Sequence, residues 1–285
     1  MRLLAKATIV AIPVLGLLAA APVATMYLRQ DEYLFPVRHS GEPVLPGGIW
    51  QREYLDLPGA GRIAFRFADV RRDSTAPVLL FLHGNGSSAR LASGDVQALA
   101  DAGIPIVAAE YPGYSDNPGS PSEASLNATA EASAAWARAR WPGRRLAVLG
   151  ESIGSAPAVH LTTTSRADLL ILDSGFTSMT DTIRLHVPWL PAVQWLNRHP
   201  MDNLGRLRAA PKPLPPTLVL LFASDPVVPV AMGEALAAAI PCSTVYRSAL
   251  TGHAVLRGDP ASREVLRRWL LEPHDRACAA TASAG

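Results

Sequence analysis

Short apolar runs recur along this chain, each followed by a segment of small or polar residues. The clearest are Val78-Leu79-Leu80-Phe81-Leu82, Leu146-Ala147-Val148-Leu149, Leu169-Leu170-Ile171-Leu172-Asp173 and Thr217-Leu218-Val219-Leu220-Leu221-Phe222, with Thr244-Val245-Tyr246-Arg247 a shorter one. Runs of this length without polar alternation predict strands covered on both faces. Helix-compatible segments separate them, and strands alternating with helices predict a mostly parallel sheet. Upstream, Gln51–Leu57 and Arg62–Ala68 predict an antiparallel pair joined at Pro58-Gly59-Ala60-Gly61. Ser120-Pro121-Ser122-Glu123 predicts a capping box with proline at the first helical position, opening a helix that stops before Pro142-Gly143. Pro157 is expected to bend the helix that follows Leu149. No internal repeat is visible.

Two stretches break this rhythm. Residues 31–50 carry Pro36, Pro43 and Pro46 with little periodicity and predict a linker. Residues 176–216 hold Trp189, Trp195, His186 and His199, and are chopped by Pro188, Pro191, Pro200, Pro211 and Pro213. They predict a small, stiff apolar cover over a pocket, in which the two tryptophans set the size of the substrate. Short to medium acyl chains suit a cover that small.

Composition narrows the class. With 49% hydrophobic residues, 285 residues are ample for one core, and a single domain of about 250 residues is usual for this architecture. A net charge of +2 without a basic run argues against nucleic acid as a partner. At the N-terminus, Arg2 and Lys6 precede an uncharged run, Ala7 to Leu28, closed by Arg29, Asp31 and Glu32. That run meets the roughly 20 apolar residues a bilayer span needs. The positive flank predicts a cytoplasmic N-terminus and a domain outside the cytoplasm. A signal peptide cleaved near Ala20-Ala21-Pro22-Val23-Ala24 is the alternative. The expected organisation is therefore an anchor or signal over 1–30, a linker over 31–50, a domain over 51–272 and a flexible tail over 273–285. An oxidising compartment permits a disulfide between Cys242 and Cys278, with a buried Cys242 and a free thiol in the tail as the alternative.

The chemistry begins at Gly150-Glu151-Ser152-Ile153-Gly154, directly after an apolar run. In a sharp strand-to-helix turn this spacing exposes a serine hydroxyl, and flanking glycines avoid clashes that side chains would make. The amide after the serine then faces a helix N-terminus, where a developing oxyanion is stabilised. An acid and a histidine follow in order. Asp225 lies just past the strand ending at Phe222, and His253 lies past the strand ending at Arg247. Both positions fall at the strand ends where open parallel sheets build their sites. Asp173 ends another strand on that edge and is the alternative acid. His83-Gly84-Asn85-Gly86 follows the first long strand, in place to supply a second oxyanion amide. The other histidines show no metal-ligand spacing, and Asp202 reads as a cap or loop residue and not as a catalyst.

Taken with Glu110-Tyr111-Pro112-Gly113-Tyr114-Ser115, Pro121-Ser122-Glu123, Ser224-Asp225 with Val228-Pro229, and Gly252-His253, these segments resemble a serine hydrolase of the α/β-hydrolase superfamily. Within it, the chain is similar to the membrane-anchored α/β-hydrolase-domain proteins. The resemblance runs from about Gln51 to Leu271. It implies an α/β-hydrolase fold, with a mostly parallel central sheet, helices on both faces and a small cap insertion at about 176–216. One position departs from the family pattern: a glycine is usual three residues before the acid, and here Phe222 stands there.

The expected mechanism needs no metal or organic cofactor. His253 takes the Ser152 proton as the oxygen attacks an acyl carbonyl, Asp225 orients the imidazole, and the amides of Asn85 and Ile153 bind the oxyanion. A small-molecule acyl ester or thioester is the expected substrate. A peptidase or amidase with the same triad, and a non-catalytic binding module on the same fold, are the alternatives.

Overall fold

A computed structural model describes residues 21–36, 48–70, 75–164, 167–211, 213–241 and 243–274. Eight strands form one sheet: β1 (Trp50–Leu57), β2 (Gly61–Ala68), β3 (Val78–Leu82), β4 (Ile106–Ala108), β5 (Leu146–Glu151), β6 (Leu169–Asp173), β7 (Thr217–Ser224) and β8 (Ser243–Thr251). Their order is β1-β2-β4-β3-β5-β6-β7-β8. The β1–β2 and β2–β4 pairs are antiparallel and the remaining neighbours are parallel. Every residue of β3, β4, β5 and β6 is buried, as expected for strands covered on both faces. Within β3 the two-residue period divides the core. Val78, Leu80 and Leu82 pack on one face with Tyr111, Leu126 and Val148, while Leu79 and Phe81 pack on the other with Leu99, Leu149 and Trp269.

The described helices include α1 (Gln30–Leu34), α2 (Ala89–Asp95), α3 (Gln97–Asp101), α4 (Glu123–Arg140), α5 (Ser155–Thr163), α6 (Met179–His186), α7 (Val193–Leu196), α8 (Asn203–Ala209), α9 (Val230–Ala238), α10 (Val255–Gly258) and α11 (Pro260–Leu271). Residues 21–28 are also helical and lead into α1. Helices α6, α7 and α8 make up the insertion between β6 and β7.

Several expectations change here. β4 went unread in the sequence because it has only three residues, Ile106-Val107-Ala108. Helix α4 starts at Glu123, two residues beyond Pro121, and its capping box joins Ser122 to Ser125 instead of involving Glu123. Glu123 is used elsewhere: it accepts a hydrogen bond from the Met201 amide (3.0 Å) and pairs with Arg206, tying α4 to the insertion. Pro157 falls in the first turn of α5, where a missing N–H breaks no helical bond.

The junction of the expected anchor and linker is a docked element: Asp31, the first linker residue, pairs with Arg198 (2.9 Å) and His199 (2.9 Å). Gln30 is buried, donates to the Leu196 carbonyl (3.1 Å) and accepts from the Arg198 amide (2.8 Å). Trp189 and Trp195, expected under the cover, are instead 60% and 79% exposed. Among the described residues no helix is long and apolar enough to cross a membrane. The expected span Ala7–Leu28 lies outside the described residues except for 21–28, and Cys242 and Cys278 lie outside them too.

Candidate active site

Ser152 stands where β5 turns into a 3₁₀ turn, Ser152–Gly154, and then α5. Its φ is +51°, a left-handed value costly for a residue with a side chain. Two glycines make the turn possible. A Cβ on Gly154 would lie 2.0 Å from the Leu82 carbonyl oxygen, and one on Gly150 would lie 2.5 Å from the Gly154 carbonyl oxygen. The turn is thus wedged between β3 and its own helix, and the serine hydroxyl is left facing the pocket.

His253 comes from the loop after β8, and Asp225 from the loop after β7. The Ser152 Oγ lies 2.9 Å from His253 Nε2, and His253 Nδ1 lies 2.8 Å from Asp225 Oδ2. The other oxygen of Asp225 accepts from the amides of Val227 (2.8 Å) and Val228 (2.9 Å). Burial opposes charge on Asp225. The bonds from His253 and the two amides outweigh it and hold the carboxyl below its ordinary range.

Asp173 does something different. It is fully buried, and its two oxygens accept from the amides of Val255 (2.7 Å) and Leu256 (3.0 Å), just beyond His253. Burial, reinforced by the neighbouring Glu151 carboxylate, pushes its pKa up to about 7. Asp173 therefore anchors the loop that carries the histidine. The departure at Phe222 has a steric complement. A Cβ on Gly252 would lie 3.0 Å from the Phe222 ring and one on Gly258 would lie 2.8 Å from it. The large side chain before the acid is accommodated by glycines on the histidine side.

Asn85 and Ile153 both line the pocket around Ser152, which has a volume of about 320 Å³. Leu34, Phe176, Met179, Val227 and Val228 supply its apolar walls. A buried network braces the His83-Gly84-Asn85 turn. His83 Nδ1 donates to the Gly84 carbonyl (2.8 Å), and its Nε2 is 2.6 Å from Glu110. Glu110 also accepts from the Ala89 amide (2.9 Å) and the Ser115 hydroxyl (2.8 Å). Tyr111 donates to the His83 carbonyl (3.1 Å), and Tyr114 donates to the Asn85 side chain. The Glu110–Ser115 segment was quoted in the sequence only as part of a resemblance. Its physical work, holding the turn beside the serine, could not be read from spacing because Glu110 lies 27 residues from His83.

Burial opposes both charges of the His83–Glu110 pair, but their mutual attraction and bonds raise the histidine and lower the acid. The raised histidine contributes stability that is full below its unfolded value of about 6.5 and is lost as pH rises through the raised value. The lowered acid contributes stability present above about 4.3 and lost as pH falls through the lowered value. Glu110→Gln is therefore expected to destabilise the domain by about 3–5 kcal/mol, the usual cost of orphaning a buried ion. The difference from wild type should be greatest between about pH 4.3 and 6.5. Urea unfolding of both proteins across pH checks it, and a flat difference would remove the ion pair as its cause.

Of the remaining histidines, His160 bonds to Glu131, His186 to the Val227 carbonyl, His199 to Asp31 and His274 to the Trp269 carbonyl. Asp202, read from the sequence as a cap or loop residue, caps α8 through the Gly205 amide.

A family model described as the alpha/beta hydrolase fold matches residues 77–213. An uncharacterised protein of Mycobacterium tuberculosis is 31% identical over 238 residues, covering 80% of this chain and 83% of that protein. The chain belongs to the α/β-hydrolase superfamily. More distantly, it is similar to the lysophosphatidylserine lipase ABHD12 of Gallus gallus, at 28% identity over 211 residues. That match covers 67% of this chain and 53% of the chicken protein, about half its length. Among solved structures, an alpha-beta hydrolase from Vibrio vulnificus aligns with a TM-score of 0.66 at 23% identity, over 86% of this chain and 93% of that one. A Pyrococcus furiosus esterase aligns with a TM-score of 0.64 at 13% identity, over 82% and 97%. Both show the same fold.

Proposed function

We propose that this protein is a serine hydrolase that cleaves a carboxylic ester or thioester through an acyl-enzyme. The observation that carries this reading is the unbroken hydrogen-bonded series Ser152–His253–Asp225 at the floor of an apolar pocket. His253 Nε2 accepts the serine proton as Oγ attacks the acyl carbon. Asp225 holds the proton on Nδ1 and stabilises the imidazolium. The oxyanion is taken by the Asn85 and Ile153 amides, and His253 returns its proton to the leaving group. Water then releases the acyl group by the same route. The apolar walls favour an acyl group over a peptide, whose backbone polar groups they would leave unpaired. The chicken relative's name, a lysophosphatidylserine lipase, is consistent with an acyl-ester substrate. A screen of acyl esters, thioesters and aminoacyl amides tests the class. Turnover confined to the amides would make the protein an amidase instead.

The N-terminal run supports a second part of the proposal: attachment to a bilayer through the part of the uncharged run that precedes Val23, with the catalytic domain outside the cytoplasm. Full-length protein should stay in the membrane pellet after alkaline carbonate. A soluble mature form beginning between Ala21 and Thr25 would indicate a cleaved signal peptide.

A further inference from the structure

Beside the pocket around Ser152 lies a second, apolar groove. Residues 21–34 run along the cap. Val23, Met26, Gln30 and Leu34 recur at helical spacing and are buried or half-buried, while Ala24, Thr25, Leu28, Arg29 and Glu32 are exposed. The covered side faces α6, α7 and the loop between them. A groove of about 260 Å³ lies in between, walled by Val23, Met26 and Leu34 on one side and Ile183, Val187 and Leu190 on the other.

Its walls are held in place. Gln30 bonds both ways to the cap, at the Leu196 carbonyl and the Arg198 amide, so the one buried polar side chain on the segment is already satisfied. Asp31 pairs with Arg198 (2.9 Å) and His199 (2.9 Å). The segment is also joined to the site, because the Asn85 side chain donates to the Leu34 carbonyl (2.7 Å).

The groove adjoins the pocket around Ser152, and the two share four lining residues, Tyr33, Leu34, Met179 and Thr182. An apolar groove set against the pocket of a nucleophile suits the tail of the group the nucleophile attacks. A peptide there would leave its N–H and C=O groups without partners. Leu34 lines the pocket with Ser152, whereas Met26 lines only the groove, eight residues or roughly 12 Å of helical rise further on, beyond the reach of a short acyl group. The same two segments expose Leu28, Leu185, Trp189 and Trp195, apolar surface that suits a substrate drawn from lipid.

We propose that this groove is an acyl-chain subsite built jointly by the N-terminal segment and the cap, and that it makes the enzyme selective for long acyl chains over short ones. The proposal rests on the ester or thioester reading above. It replaces the short to medium chain expected from the cap alone, because the cap is only half of the wall.

The test uses full-length protein in bilayer discs with p-nitrophenyl butyrate and palmitate. Wild type should favour palmitate in kcat/KM. Met26→Trp and Val187→Trp, which fill the groove from opposite walls, should each lower the palmitate-to-butyrate ratio by about tenfold or more. A wild-type preference for butyrate, or an equal loss on both esters in both variants, overturns the subsite. A binding arm separates this from the chemistry. Ser152→Ala should bind a fluorescent palmitic-acid analogue, and adding Met26→Trp should weaken that binding about tenfold. Binding that depends on Met26 without any ester turnover would sink the hydrolase reading and keep the subsite. Turnover without chain-length dependence and without binding would do the reverse.

Discussion

Ser152→Ala is expected to abolish labelling by a small fluorophosphonate and to lower ester turnover by roughly 10⁴- to 10⁶-fold, leaving the fold intact. The magnitude follows from what is lost. In the proposed mechanism the attacking oxygen is this hydroxyl: no other is placed 2.9 Å from His253 Nε2 among the described hydrogen bonds, and Ser152 holds a left-handed backbone at the turn. Residual activity should come only from binding and from the oxyanion amides. The stability change should be small, since the Oγ points into the pocket and alanine relieves none of the packing at Gly150 or Gly154. Stoichiometric labelling of the alanine variant, or turnover within tenfold of wild type, would remove Ser152 as nucleophile.

Asp225→Asn is expected to cost about 10⁴-fold in turnover with little change in stability. The carbonyl of the new amide stays with the Val227 and Val228 amides, which need an acceptor. Its NH₂ then faces His253 Nδ1 and forces the ring proton onto Nε2, where it cannot accept from Ser152. Asp173→Asn should behave in the opposite way. Both of its oxygens accept backbone amides, so one amide would meet an NH₂ and lose its bond. Lower melting temperature should dominate, with a smaller loss of turnover through displacement of the His253 loop. Parallel measurements of kcat/KM and thermal unfolding distinguish the two. If Asp173→Asn proves the more damaging to turnover at matched stability, the orienting acid is Asp173.

These expectations draw on features of very different visibility in the sequence. The central strands were legible because burial on both faces demands near-continuous apolar runs, and β3, β5, β6 and β7 carry them. The strand-end positions of Ser152, Asp225 and His253 were legible for the same reason: once the strands are placed, their C-terminal edge is placed too. Elements with weak local signals were misjudged. Helix α4 begins at Glu123 because the choice between Ser120 and Ser122 as cap depends on what Ser125 and Glu123 bond to. The prolines and the two tryptophans of residues 176–216 read as a stiff apolar cover, but composition does not say which face of a short proline-bounded segment meets the core, and Trp189 and Trp195 face outward.

By itself the sequence determined the layer architecture, the order of the chemical groups and the strained turn at Ser152, all of which rest on local periodicity and spacing. The tertiary structure decided what depends on distant partners. It told Asp225 from Asp173, since both lie at the same edge of the sheet and only the path of the His253 loop puts the ring against Asp225 and the amides that follow it against Asp173. It made Glu110 the brace of the Asn85 turn, and it set Gly252 and Gly258 against Phe222. It also turned the start of an apparent linker into a wall of the groove, because the apolar side of residues 21–34 has no local partner and is covered only when the cap, more than 150 residues away, folds back beside it.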